Sequence, residues 1–194
     1  MIDPPVDGEA LERIGRGLRM VTVPLPHLAG LAAAARVTAD ERVPTIAVFA
    51  SGRLVANPAF VRGLTDDQLI FVLAHELLHL ALRTHDRARG SNRLEFNYAH
   101  DYIINDILRV ELGMNVPAGG LDMPGARERS AEEIVLDMRR NQQAPTKTSV
   151  WNGEDASSHR VFANGRATGG GAEAGDALEG SVEAELYPDE AAEA

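Results

Sequence analysis

The sequence contains no cysteine. A disulfide framework and a thiolate metal site are therefore excluded, and any metal ion must be held by His, Asp or Glu side chains. Aromatic residues are also scarce, at 5% of the chain, whereas hydrophobic residues make up 44%. We therefore expect a core built mainly from Leu, Ile, Val and Ala, and 194 residues are enough to form one.

Positive charge and long apolar runs are lacking too. The net charge is −10, and residues 141–194 hold three basic and ten acidic residues, a net charge of −7 that leaves −3 for residues 1–140. No basic surface for nucleic acid is expected from this balance. No apolar run is long enough to span a membrane, and the polar, acidic N-terminus is unlike a signal peptide. We expect a cytoplasmic protein that binds neither nucleic acid nor membrane.

The pattern along the chain predicts an α+β fold that is mainly helical. Two short apolar segments flank a Ser-Gly turn and predict a small β-hairpin beside the helices. Helices are predicted from apolar periodicity and from capping signals. The predicted helices cover residues 7–20, 25–37, 69–83 or beyond, 95–112 and 130–140, and the predicted strands cover residues 45–50 and 53–56. We assign residues 1–140 to one domain and residues 141–194 to an acidic, Gly/Ala-rich, disordered tail.

The most informative stretch is Ala-His-Glu-Leu-Leu-His, which contains His75, Glu76 and His79. Histidines four positions apart project from one face of a helix, so both rings can reach one metal ion. Zinc suits such nitrogen ligands, and the adjacent Glu76 is placed as a general base for a metal-activated water. The alternative is a pair of core histidines with Glu76 in an ion pair, but burying three such groups without partners costs several kcal/mol.

A third ligand is needed, and His85 is the nearest candidate along the chain. Metzincins place their third histidine at this spacing, after a glycine that breaks the helix, but Leu82 occupies the glycine position here. If the helix continues, His85 points about 120° away from His79 and lies about 9 Å further along the axis. We therefore predict a helix-end histidine that interacts with terminal carbonyls.

The following helix offers a better third ligand in Asp101. Asn97, Asp101 and Asn105 form a polar stripe at spacing i, i+4, i+8 on an otherwise apolar helix. Asp101 would complete a His-His-carboxylate zinc site with one open position, and Asn105 could orient one of its ligands. This spacing resembles that of the thermolysin-like gluzincins. The alternatives are a solvated polar face, and His100 or Glu95 as the ligand.

Four segments in order resemble the DUF2201-type bacterial metallopeptidases. They are Ala-Asn-Pro-Ala-Phe-Val at 56–61, the stretch from Leu73 to Arg87, Asn-Tyr-Ala-His-Asp-Tyr-Ile-Ile-Asn at 97–105 and Ser-Ala-Glu-Glu-Ile at 130–134. The resemblance covers roughly residues 25–140, and it implies a zincin-like fold and zinc peptidase activity. A trailing histidine is a feature of that family, which keeps His85 as an alternative ligand. Members often carry a von Willebrand type A domain after the peptidase part, whereas this sequence has a short acidic tail.

The leading hypothesis is a zinc-dependent metallopeptidase that acts on proteins or peptides. The hairpin could present an edge strand to an extended substrate. Tyr98 and Tyr102 are candidate hydrogen-bond donors to the reacting carbonyl. The alternatives are a protein-interaction module that is zinc-stabilised or metal-free, and a zinc hydrolase for a non-peptide amide. The intact Glu76 argues against the module, since a purely structural site needs no general base.

Overall fold

The structure is a computed structural model that describes residues 6–117, 120–141 and 177–178. Its elements in chain order are α1 (Val6–Val21), a 3-10 turn (Pro26–Leu28), α2 (Ala29–Ala34), β1 (Arg36–Ala39), β2 (Ile46–Phe49), β3 (Arg53–Ala56), α3 (Pro58–Gly63), α4 (Asp66–Ala81), α5 (Thr84–Arg87), α6 (Arg93–Glu111), a second 3-10 turn (Ala126–Glu128), α7 (Ala131–Arg140) and β4 (Ala177–Leu178). The predicted α+β class is confirmed. Most of the predicted tail lies outside the described residues.

Helix α4 is the central element of the fold. A capping box of Thr65 and Gln68 begins it, as the sequence predicts, and its residues from Phe71 to His79 are all buried. Helices α1 and α6 and strand β2 all pack against it. Gly17 allows α1 to approach closely, because a Cβ at this position would lie 2.6 Å from Cδ1 of Leu73. An apolar helix enclosed in this way is a rigid support for side chains that project from it.

A small sheet lies beside α4, with strand order β1-β3-β2-β4. Strands β2 and β3 form the predicted hairpin and are antiparallel, and all eight of their residues are buried. Strand β1 pairs with β3 in parallel, and β4 pairs in parallel with the outer edge of β2. The hairpin is therefore the interior of the sheet, and β1 and β4 are its flanking strands.

Two predicted helices end earlier than expected. The predicted helix over 25–37 is a 3-10 turn and α2, which ends at Ala34, and the chain then forms β1 because residues 36–39 pair with β3. The predicted extension of α4 to Arg83 is also wrong. The helix ends at Ala81 because Arg83 adopts a left-handed conformation with φ of 54°. Among the helices of the described residues, none combines the length and apolar character needed to cross a membrane.

A second apolar cluster joins α6 to α7 and the turn before it. A buried carboxylate, that of Asp106, fixes this turn: it accepts hydrogen bonds from the backbone N–H groups of Gly125 and Arg127, both at 3.1 Å, and from the Arg109 side chain. Burial alone would raise the pKa of Asp106, but these hydrogen bonds outweigh it and lower the pKa. The ionised form of Asp106 therefore stabilises the fold.

We predict that Asp106→Asn lowers the free energy of unfolding by about 2–3 kcal/mol at neutral pH, because an amide accepts these hydrogen bonds less well than a carboxylate. The wild-type advantage should be fully present above the ordinary pKa of 3.8 and should disappear as the pH falls through the lowered pKa of the folded state. Urea unfolding at several pH values measures both effects. Asp122→Asn is the control, because Asp122 also faces Arg109 but is about half exposed. Equal losses in both variants would contradict the assignment.

Candidate metal centre

Two helices bring three potential metal ligands together inside the protein. His75 and His79 project from α4, and Asp101 projects from α6, which packs against it. The Nε2 atoms of the two histidines lie 3.0 Å apart. Oδ1 of Asp101 lies 3.2 Å from Nε2 of His79 and 3.6 Å from Nε2 of His75. All three side chains are buried. The three residues, called the His-His-Asp cluster below, could hold a metal ion.

The spacing of the three atoms fits a small tetrahedral ion. Ligand atoms about 2.0–2.1 Å from such an ion lie about 3.3–3.5 Å apart. The three observed separations, from 3.0 to 3.6 Å, bracket this range. Oδ1 of Asp101 finds no hydrogen-bond donor in suitable orientation among the described residues. Because a buried carboxylate oxygen needs a positive or donating partner, the cluster has the chemistry of a cation site.

The predicted polar stripe of α6 faces the cluster and is buried. Asn105 accepts a hydrogen bond at Oδ1 from Nδ1 of His75, at 2.9 Å, and its Nδ2 donates to the carbonyl of Leu121 at 3.0 Å. Since an amide oxygen only accepts, Nδ1 of His75 carries a proton, and in the neutral form of this ring Nε2 presents a lone pair to the cluster. Asn97 donates to Oδ2 of Asp101 at 3.4 Å. The alternative of a solvated face is excluded, because all three stripe residues are buried.

A residue that sequence reasoning missed, Thr84, lies against His79. The left-handed Arg83 turns the chain directly after α4, so Thr84 is the first residue of α5 and is buried. Its Oγ1 lies 3.1 Å from Nδ1 of His79 and 2.7 Å from Nδ1 of His100. The chain therefore turns back toward the cluster, as it does after the glycine of the metzincin pattern. The residue that this turn places against the cluster is Thr84 and not His85. The local sequence does not predict this turn, because arginine is uncommon in the left-handed region.

The three other candidate ligands lie outside the group of residues that could share one ion. His85 follows Thr84 in α5 and is half-buried. His100 is buried and faces Thr84 through Nδ1. Glu95 pairs with Arg139 of α7, at 2.6 Å from Nη2. The prediction that His85 points away from His79 depends on a continuous helix, and the helix is not continuous. His85 nevertheless lies outside the cluster.

The electrostatics of the site favour an ionised Asp101 beside a neutral His100. Burial alone would raise the pKa of Asp101, but interactions with His75 and His79 outweigh it and lower the pKa. Burial lowers the pKa of His100 to about 4, and the nearby His79 and Arg87 act in the same direction. Burial, together with the charge of Asp101, raises the pKa of Tyr102. The cluster therefore offers one negative and two nitrogen-bearing side chains, a combination that is found in metal sites of two histidines and one carboxylate.

Glu76 is the remaining polar residue of the α4 motif. Its side chain is 1% exposed, and it follows His75 directly in the helix. At about 100° per residue, Glu76 lies about 60° from His79 around the helix axis and therefore borders the face that carries both histidines. Its carboxylate is therefore held inside the protein and close to the two imidazoles of the cluster along the same helix.

The fold and the site define a protein with a buried pair of histidines and a carboxylate, carried by two packed helices. A family model described as "Putative metallopeptidase domain", DUF2201_N, matches residues 14–194. The chain belongs to this family, which confirms the resemblance and extends it beyond residues 25–140. Neither the curated proteins nor the solved structures that were compared with the chain gave a match.

We predict that Asp101→Asn weakens zinc binding by at least about 100-fold, since loss of a ligand should exceed the roughly 10- to 100-fold effect of losing a ligand's hydrogen-bond partner. The neutral amide keeps the shape of the side chain but is a weaker ligand. Competition against a chromophoric chelator measures the affinity. His85→Ala is the control and should bind zinc like the wild type. The opposite pattern, with zinc lost in His85→Ala and kept in Asp101→Asn, would exchange the two roles.

Proposed function

We propose that this protein is a zinc-dependent metallopeptidase with a zincin-like fold. The observation that carries the proposal is the convergence of three buried atoms from α4 and α6, at 3.0 to 3.6 Å from one another, together with the buried carboxylate of Glu76 on α4. Membership of the "Putative metallopeptidase domain" family supports the same reaction class. Zinc is the favoured ion because the ligands are two imidazoles and one carboxylate, a set found in catalytic zinc sites.

In this proposal His75, His79 and Asp101 hold the ion, and Asn105 and Asn97 orient two of them. The two amides fix the ring of His75 and the second oxygen of Asp101 through the hydrogen bonds described above. A bound zinc ion would act as a Lewis acid toward a water molecule and a substrate carbonyl. The rigid, buried position of the three side chains keeps their arrangement intact between turnovers.

Glu76 serves as the general base. It accepts a proton from the attacking water and delivers it to the amine that leaves when the peptide bond breaks. Its place on α4, beside His75 and on the border of the histidine face, suits this role.

The arrangement of α4 and the sheet supports a zincin-like architecture and an extended substrate. Strand β2 packs against the helix that carries both histidines, and its outer edge pairs in parallel with β4. An extended peptide could therefore bind along this edge of β2 as an added strand. A protein or peptide that binds there would displace residues 177–178 from β2.

Two other functions remain as outcomes of the experiments. A protein-interaction module that is zinc-stabilised or metal-free would use the same fold without the base. A hydrolase for a non-peptide amide would use the same residues on a smaller substrate. No structural observation favours either over the peptidase, and the buried Glu76 argues against the module.

We predict that Glu76→Gln lowers chelator-sensitive cleavage by about 100-fold or more, because the amide cannot accept the proton. Zinc content should stay at the wild-type level, since Glu76 is not one of the three ligands. Cleavage of a panel of unfolded proteins and of a quenched-fluorescence peptide library measures the activity. Glu12→Gln, on the exposed side of α1, is the matched control and should keep full activity.

Each alternative outcome has a distinct meaning. Bound zinc without cleavage of any substrate in the wild type would favour the interaction module. Cleavage of simple amides but not of peptides would favour the amide hydrolase. Equal activity of Glu76→Gln and the wild type would remove Glu76 from the mechanism.

A further inference from the structure

A buried chain of hydrogen-bonding atoms, called the relay below, leads from His79 of the His-His-Asp cluster through Thr84 to His100. It runs from Nδ1 of His79 to Oγ1 of Thr84, at 3.1 Å, and on to Nδ1 of His100, at 2.7 Å. His79 and His100 are both 0% exposed, and Thr84 is 2% exposed. Water therefore does not compete for these contacts.

The chemistry of the groups restricts the direction of the two hydrogen bonds. A hydroxyl has one proton, so it can donate to only one of the two imidazoles and must accept from the other. If His79 binds a cation through Nε2, its Nδ1 carries the proton and donates to Thr84. The hydroxyl then donates to Nδ1 of His100, whose proton is on Nε2.

We propose that Thr84 is a positioning residue of the metal centre, and that Thr84 and His100 together hold His79 with its proton on Nδ1 and its Nε2 lone pair toward the cluster. This inference rests on the proposed metal site but names residues that the site itself does not require. In this proposal Thr84 accepts a hydrogen bond from Nδ1 of His79, as Asn105 accepts one from Nδ1 of His75. Both imidazoles are then fixed in ring orientation and in tautomer, one by an amide oxygen and one by a hydroxyl.

The backbone at the end of α4 supports this role. Arg83 has a left-handed conformation that is unfavourable for a non-glycine residue. A strained residue is retained where its surroundings fix it. Here the strain places Thr84 between two buried imidazoles, and the Arg83 side chain pairs with Asp86, with Nε at 2.9 Å from Oδ2. A helix that continued without the turn would carry position 84 past the cluster.

The test compares Thr84→Val with Thr84→Ser. Valine keeps the shape and removes the hydroxyl, so zinc affinity should fall about 10- to 100-fold, whereas serine should restore it to near the wild-type value. Thr45→Val is the matched control, because it also removes a buried threonine hydroxyl but at the start of the hairpin. Unchanged zinc affinity in Thr84→Val, or an equal loss in Thr45→Val, would overturn the proposal.

A second readout follows the proton directly. Long-range nitrogen–proton NMR of the imidazoles of the zinc-loaded protein should show His79 protonated on Nδ1 and His100 protonated on Nε2. In Thr84→Val the His100 assignment should change or become mixed. If Thr84→Val does not fold, His100→Leu and His100→Asn replace it: leucine removes the acceptor and should weaken zinc binding, whereas asparagine retains an acceptor and should not.

The outcome for the relay can be separated from that of the proposed function. If the wild type binds no zinc, the proposed function fails. The relay is then judged on the metal-free protein at about pH 9, where free imidazoles are neutral. A proton on Nδ1 of His79 would support the relay, and a proton on Nε2 would overturn it. If zinc binds but no substrate is cleaved, the affinity and NMR results decide the relay without reference to activity.

Discussion

The close approach of Nε2 of His75, Nε2 of His79 and Oδ1 of Asp101 is the constraint on which the rest of the structure depends. Three buried atoms that can each present a lone pair lie within 3.6 Å of one another. When all three atoms present lone pairs, they repel unless a positive charge lies between them, and in an apolar interior the repulsion is strong. A cation converts the same geometry into three favourable contacts. The site therefore couples metal binding to the stability of the α4–α6 contact.

The scaffold holds these atoms with short hydrogen-bonded links and rigid helices. Asn105 reaches His75 from one turn beyond Asp101, Asn97 reaches Asp101 from one turn before it, and Thr84 reaches His79 from the turn after α4. Each member of the His-His-Asp cluster thus has a hydrogen-bonding partner on its far side. Such partners fix the orientation of ligands and raise their basicity, so the site is organised before an ion arrives.

Much of this arrangement was predictable from the sequence because it depends on periodicity. The spacing of His75 and His79 and the stripe of Asn97, Asp101 and Asn105 each place side chains on one helical face, and capping residues mark the starts of α4 and α7. The place of Asp101 in the cluster also followed from the stripe, because a polar row on an apolar helix must face something polar. These inferences are local, and local geometry is what sequence patterns report.

The features that the sequence does not predict depend on tertiary contacts, which a local sequence pattern does not report. Strand β1 forms because residues 36–39 pair with β3, which overrides the helical tendency of the alanines before it. The end of α4 is set by a left-handed arginine, a conformation that its residue type disfavours. Thr84 cannot be recognised without this turn. The prediction that His85 points away from His79 rests on a continuous helix, whereas the left-handed turn at Arg83 determines the backbone there.

The central claim is that His75, His79 and Asp101 bind one zinc ion. X-ray absorption at the zinc edge of the reconstituted, dialysed protein tests it most directly. We predict one zinc ion per chain, bound by light nitrogen and oxygen atoms at about 2.0–2.1 Å, with the scattering signature of two imidazole rings. The absence of stoichiometric zinc, or a signature of three imidazoles, would contradict the account.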